Sequence, residues 1–321
     1  MGTLATAAPA GNPVTLRRPS EKLCLAAARL FIDTPLRRFG LRESSHNDRY
    51  DSMENYIRDR VSNVDRYHAL FSKHVSLRSK TVLELGCSSG YILHSFLEKE
   101  PFTAIGADIS ADVLAQGRAQ YGDRIRFVQT TPTSIPVDDD SVDVIYTVDT
   151  VEHLSNPEAI FRDVHRILKP GGTFLVHFGP WYGACGAHLE DIIPFPWPQV
   201  FFSMDTLLKV AAHLYDSPDH TPACYWIDPA TGRRRANPYL DRERWRTYLN
   251  DVTVQKFRRL VRALPFEQVS FRCHGFGGTT FKAARALSWL AQVPVLTEVF
   301  TSYVFCVLRK PAASREALRR R

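Results

Sequence analysis

The chain predicts an α/β fold in which buried parallel strands alternate with helices. Three observations carry that prediction. An apolar run ends in an acid and a glycine turn, Thr81-Val-Leu-Glu84-Leu-Gly86-Cys87-Ser88-Ser-Gly90. A second apolar run, Thr103-Ala-Ile-Gly-Ala-Asp108, ends in another acid about 20 residues after that turn. An amphipathic stretch over 157–168 is closed by Lys169-Pro-Gly-Gly172 and followed by the strand-like run Thr173-Phe-Leu-Val-His-Phe178.

The elements follow in order. Residues 21–39 read as an amphipathic helix with Leu23, Ala26, Leu30 and Phe31 apolar, and residues 53–73 as a second helix. Val82, Leu83 and Leu85 give the continuous apolar run of a strand covered on both faces. Strands over 102–108, 126–129 and 143–148 come next, and the last leads into Asp149-Thr-Val-Glu152-His153-Leu154. In the following helix, Ile160, Phe161, Val164, Ile167 and Leu168 share one face. Residues 179–239 are rich in proline and aromatics, too structured in composition for a linker. A helix over 254–264, a strand over 266–272, a largely apolar insertion over 281–299 and a final strand over 301–308 complete the chain. The first part of the insertion reads as helix, which Pro294 ends or kinks.

The glycine turn indicates its ligand. Gly86 permits the tight turn, and Gly90 lets the next helix press on the sheet. A dinucleotide fingerprint needs a middle glycine so that bare backbone can approach a pyrophosphate. Here that position is Ser88, which counts against NAD or FAD and suits an adenosine ligand without phosphates, such as S-adenosylmethionine (SAM). The ordered segments L-E-L-G-C-x-x-G, A-D-I, V-E-H-L and L-K-P-G-G resemble the core of class I SAM-dependent methyltransferases, in the broad type 11, quinone-biosynthesis-like group. The resemblance implies a Rossmann-like seven-stranded sheet, mostly parallel with an antiparallel last strand. It also implies SAM as methyl donor and S-adenosylhomocysteine as product.

The resemblance assigns donor-binding roles by matched position. Glu84 organises the turn and the methionine amino group, while Gly86, Cys87, Ser88 and Gly90 shape the turn. Asp108 accepts the ribose hydroxyls and Ile109 packs on adenine. Thr131 stands where the family has an acid for the adenine amino group, and Thr147 and Asp149 line the methionine end. Ser88 departs from the usual glycine, and Thr131 from the usual acid.

Composition fits one large α/β domain with an elaboration. The chain has 321 residues, is 44% hydrophobic and carries a net charge of +7. No long uncharged apolar run predicts a bilayer span, and the start shows no secretory h-region, so the expectation is a cytoplasmic protein. The six cysteines lack a C-x-x-C pair, suggesting neither zinc nor a disulfide framework. Arginines crowd residues 233–246 and 315–321; a solvated basic face is preferred over a phosphate-binding one. Nucleic acid is disfavoured as partner. The segment after the fourth strand, Val148-Asp149-Thr150-Val151, lacks the D/N/S-P-P-Y/F/W run of base-amino methyltransferases, and no Pro-Cys nucleophile occurs.

Domain boundaries are expected at 1–45 (tail and cap helix), 46–310 (methyltransferase domain) and 311–321 (basic tail). Within the domain, 180–250 reads as an aromatic substrate lid. The insertion over 281–299 reads as a shield for a greasy acceptor, a peripheral membrane contact or core. A sulfonium is already an activated methyl donor, so the protein must mainly position the acceptor and, for a hydroxyl, remove its proton. His153 and His188 are the candidate bases, with Glu152, Asp149 and Glu190 as orienting carboxylates. Asp149-x-x-Glu152-His153 is similar to the E-x-x-E-H metal motif of some quinone and RNA 3′-end methyltransferases. Such a motif could hold Mg²⁺ or another divalent ion with His188 completing the shell, but V-E-H-L occurs in many metal-free relatives, and no metal is assigned. The acceptor expected is a hydroxyl on a small molecule or a glycan- or lipid-linked compound; N- or C-methylation, RNA or protein methylation and a non-catalytic SAM-binding role are the alternatives.

Overall fold

The computed structural model describes residues 14–41, 50–276 and 288–312. The tail over 1–13, the basic end over 313–321 and the expected helical start of the insertion, 281–287, lie outside them. The helices are α1 (Pro19–Asp33), α2 (Met53–Ser62), α3 (Val64–Phe71), α4 (Tyr91–Leu97), α5 (Ala111–Tyr121), α6 (Pro157–Ile167), α7 (Pro198–Phe201), α8 (Met204–Tyr215), α9 (Arg242–Tyr248), α10 (Val254–Arg262) and α11 (Thr297–Phe300). The strands are β1 (Thr81–Leu85), β2 (Thr103–Asp108), β3 (Ile125–Gln129), β4 (Val142–Val148), β5 (Leu168–Phe178), β6 (Glu267–His274) and β7 (Tyr303–Arg309). They form one sheet in the order β3-β2-β1-β4-β5-β7-β6. β1 to β5 are parallel, and β7 runs antiparallel to both β5 and β6. This is the class I methyltransferase form of the Rossmann-like fold.

The described chain divides into two compact units. Residues 60–180, 249–276 and 288–312 carry the sheet; residues 14–41, 50–59 and 181–248 form the other unit. In the sheet unit, one face is covered by α6 and α10 through Ile160, Phe161, Val164, Phe257 and Val261. The opposite face is covered by α3, α4 and α5 through Tyr67, Phe71, Phe96 and Leu114. The α6 stripe expected from the sequence is buried throughout. The second unit has its own core, where Cys24 and Ala28 of α1 meet Leu207, Ala211 and Tyr215 of α8.

Several boundaries differ from the sequence reading. The helix expected over 21–39 ends at Asp33, because Thr34 Oγ1 accepts from Leu36 N and Pro35 cannot continue an α-helix before the short 3₁₀ turn Pro35–Phe39. The helix expected over 53–73 breaks at Asn63. Strand five begins at Leu168, directly after α6, so Lys169-Pro-Gly-Gly172 is a bulge within it: Val142 faces Leu168 and Val144 already faces Thr173. Of the insertion, residues 288–292 form a 3₁₀ turn and Thr297–Phe300 a short helix. Among the described residues, no helix is long and apolar enough to cross a membrane.

Candidate functional site

Chain connections leave β1 in one direction toward β2 and β3, and in the other toward β4 and β5. The carboxyl ends of β1, β2 and β4 therefore flank the reversal point where open α/β sheets hold ligands. A cavity of about 250 Å³ lies there. Of the residues expected at the donor site, Gly86, Asp108, Ile109, Thr131 and Asp149 line it, together with His153.

The first turn is fixed by its backbone. Gly86 N and Cys87 N both donate to Ala107 O, at 2.8 and 3.1 Å, tying the end of β1 to the end of β2. Gly86 has φ +77°, and a Cβ there would stand 2.2 Å from Thr150 Oγ1. Gly90 has φ +85°, and its Cβ would meet Phe127 at 2.8 Å. Ser88, where the resembled motif has glycine, lies at φ +50°, so the position keeps the left-handed backbone that favours glycine. Its side chain does not line the cavity, and neither does that of Cys87, whose thiol is buried and donates to Ser88 O.

Asp108 links the turn to the second strand. One carboxylate oxygen accepts from Ser88 N at 2.8 Å and the other from Ser110 N at 2.9 Å. A carboxylate oxygen accepts two bonds, so each retains a lone pair for a ligand hydroxyl. Ile109, next in the chain, is 56% exposed although apolar, as a surface for a flat ring should be. Thr131 Oγ1 accepts from Thr133 N and stays exposed on the cavity rim. Glu84 lies behind the turn, buried, with Oε2 lacking a hydrogen-bond partner among the described residues. Burial pushes its carboxyl up to about 8, offset in part by the Tyr146 hydroxyl and by the charge of Arg60. Thr147, expected at the methionine end, is instead fully buried and donates to Leu85 O at 3.0 Å, so it joins β4 to β1.

Beyond β4 the site is ionic. Asp149, at φ +50°, accepts from Arg60 Nη1 at 2.6 Å through Oδ2 and contacts His177 Nδ1 at 3.1 Å through Oδ1. Burial opposes its charge, but Arg60 and His177 prevail and hold the carboxyl well below the usual range. Glu152 is the reverse case. Burial, reinforced by the negative charge of Asp149, raises its carboxyl well above the ordinary value.

Two participants were missed by the sequence reading. Asn250 donates from Nδ2 to Val151 O at 2.6 Å and Leu154 O at 2.9 Å, and its N–H donates to Glu152 O at 2.9 Å. It thereby clamps the 3₁₀ turn Val151–His153 that carries His153 into the cavity wall. Arg60, the partner of Asp149, is 89 positions away from it in sequence. Neither contact had a local signal.

His188 belongs to the other unit, at φ +50°, with its ring against Tyr248. In that unit Asp191 is buried and accepts from Trp226 Nε1 and Tyr239 Oη, each at 3.2 Å. Burial and the charge of Glu190 push its carboxyl up to about 6, with hydrogen bonds from Tyr225, Trp226 and Tyr239 opposing. Much of the basic cluster is spent internally: Arg234 donates to Tyr215 O and His220 O, Arg242 pairs with Asp205, and Arg244 lies over Trp226.

The sheet order, the glycine turn and the acid after β2 define a class I SAM-dependent methyltransferase domain. Residues 83–176, less than a third of the chain, match the family model described as a methyltransferase domain. It is 30% identical over 110 residues to an uncharacterized methyltransferase of Mycobacterium bovis, covering 34% of this chain and 43% of that protein. It is 28% identical over 120 residues to another of Mycobacterium ulcerans, covering 37% and 47% respectively. The chain thus spans less than half the length of these curated relatives. A solved SAM-dependent methyltransferase from Mesorhizobium loti overlaps 78% of this chain and 99% of its own at 18% identity, with a TM-score of 0.47.

Proposed function

We propose that this chain transfers the methyl group of SAM to a hydroxyl of a small-molecule, glycan-linked or lipid-linked acceptor, leaving S-adenosylhomocysteine. The observation that supports the reading is the cavity at the β1–β4 reversal point, lined by Gly86, Asp108, Ile109 and Thr131. The residues fit such a donor. Asp108 has a free lone pair on each oxygen for two ribose hydroxyls, Ile109 offers an apolar face to adenine, and Thr131 offers a hydroxyl to its amino group. The turn at Gly86 has no room for a Cβ. Glu84 waits behind it with an oxygen unpartnered among the described residues, which a ligand ammonium would stabilise as carboxylate. Bound there, the donor supplies a sulfonium-activated methyl; the protein contributes alignment and removal of the acceptor proton.

The acceptor side is read from connectivity. The chain leaves the sheet unit at Pro180, two residues past the carboxyl end of β5, and returns at Leu249. The intervening segment, with its buried Asp191 and aromatic partners, is the acceptor-recognising part in this reading. Purified protein mixed with radiolabelled SAM and a cell metabolite extract should yield labelled small hydroxyl compounds. Label in RNA or protein would replace the acceptor class, and tight SAM binding without transfer to anything would make the chain a binding subunit.

A further inference from the structure

We infer that Asn250 is a positioning residue for the methyl donor: it sets the β4 wall of the donor cavity without lining the cavity itself. The assignment rests on the donor reading above and goes beyond it, making donor affinity depend on an amide outside the site.

The wall is weak on its own. Asp149, Thr150, His153, Leu154 and Ser155 all line the cavity, so the single stretch 149–155 supplies its β4 side. The regular element in that stretch is the 3₁₀ turn Val151–His153. A turn so short closes few hydrogen bonds, and their geometry is poor. Here they run from His153 N to Thr150 O at 2.9 Å and from Leu154 N to Val151 O at 3.3 Å. The residues leading in are irregular: Asp149 has φ +50°, and Thr150 has φ −130° with ψ −29°. Val151 is fully buried, so its carbonyl has to find its partners within the protein.

Asn250 supplies what the turn lacks. The two N–H groups of Nδ2 donate to Val151 O at 2.6 Å and to Leu154 O at 2.9 Å. The backbone N–H of Asn250 donates to Glu152 O at 2.9 Å. Oδ1 accepts from Val252 N at 3.1 Å, which fixes the amide to its own segment. One side chain thus holds a carbonyl at the start of the turn and another just past its end. A carboxylate of the same shape would keep the bond from Val252 N and lose both bonds to the turn.

The clamp reaches the donor through the residues it holds. Thr150 stands against the glycine turn, where a Cβ on Gly86 would come within 2.2 Å of Thr150 Oγ1. A shift of the 3₁₀ turn therefore changes the space beside Gly86 and displaces His153 and Leu154 in the wall. Arg60 and His177 fix the stretch at Asp149, its first residue, and leave the turn to Asn250.

The test titrates S-adenosylhomocysteine into wild type, Asn250→Asp and Asn250→Ala in a calorimeter, at a temperature where circular dichroism shows each folded. Asn250→Asp separates the wall from the local bond to Val252. Both variants should bind about 10-fold more weakly or worse, since small misplacements at a site carry penalties of this order. A smaller loss in a folded variant overturns the assignment, because a purely structural asparagine would lower Tm and leave the affinity of the folded protein alone. Hydrogen exchange of the wild type decides the matter if neither variant folds. Saturating S-adenosylhomocysteine should slow exchange at the amides of His153, Leu154 and Asn250 together, and unchanged exchange at Asn250 overturns the assignment. A wild type that binds no S-adenosylhomocysteine overturns the donor reading, and the assignment with it.

Discussion

The carboxyl edge of the sheet has two halves built in different ways. On the β1–β2 side, backbone does the work: positive-φ positions at Gly86, Ser88 and Gly90, and peptide N–H groups bound to Ala107 O and Asp108. On the β4–β5 side, charged and aromatic side chains from Arg60, Asp149, His177 and Tyr303 meet across the fold. The first half is encoded within a few residues and tolerates little change in shape. The second is an ionic assembly whose members are worthless singly, since a buried ion deprived of its partner is strongly destabilising.

If that contrast holds, the largest effect should come from breaking the ionic half. Arg60→Met leaves Asp149 without its cation and should cost about 4 kcal/mol in urea unfolding. The double variant Arg60→Met with Asp149→Asn should recover most of that loss, because neither charge remains; equal losses in single and double variants would contradict the pairing. Next, Gly86→Ala places a Cβ against Thr150 at a left-handed position, and about 3 kcal/mol is expected from strain and overpacking. SAM affinity should fall at least 30-fold by calorimetry, and an unchanged affinity would detach the turn from the donor.

A pH experiment addresses the boundary between the halves. The folded-state carboxyl of Glu84 is raised to about 8 from an ordinary 4.5, so the folded protein binds a proton that the unfolded chain has released. This contribution is complete below about pH 4.5 and is lost as pH rises through about 8. Glu152, shifted in the same direction, adds to the same slope. Ligand-free protein should lose on the order of 2 kcal/mol between pH 6 and pH 9 through Glu84, and Glu84→Gln should flatten that part of the melting curve. A slope unaffected by the substitution would mean that Glu84 titrates elsewhere. The smallest effect is expected at Ser88→Gly, which relieves a left-handed serine and should stabilise by up to about 1 kcal/mol, read as a modest rise in Tm. A loss of stability there would show the serine side chain to be needed.

The same division explains what the sequence could disclose. The strand, turn and acid of the donor half are contiguous, so Gly86, Asp108, Ile109 and Thr131 were legible from spacing and resemblance, and all line the cavity. The stripe on α6 was legible from its period. Thr147 was carried over from the resemblance by matched position, which does not show that its hydroxyl is used by the neighbouring strand. Arg60 and Asn250 went unseen because their partners are 89 and nearly 100 residues away. Glu152 was named as a carboxylate, and burial beside Asp149 raises its carboxyl, a shift no motif spells out. Backbone conformation was equally hidden at Asp149 and His188, which take positive φ without being glycine.

The central claim, that the β1–β2 edge holds an adenosine-bearing methyl donor through Asp108 and the Gly86 turn, is tested most directly by titrating S-adenosylhomocysteine into the purified protein in a calorimeter. Saturable heat at one site per chain, weakened at least 30-fold by Asp108→Ala, is the expected result. No heat with the wild type, or equal affinity in the variant, would contradict it.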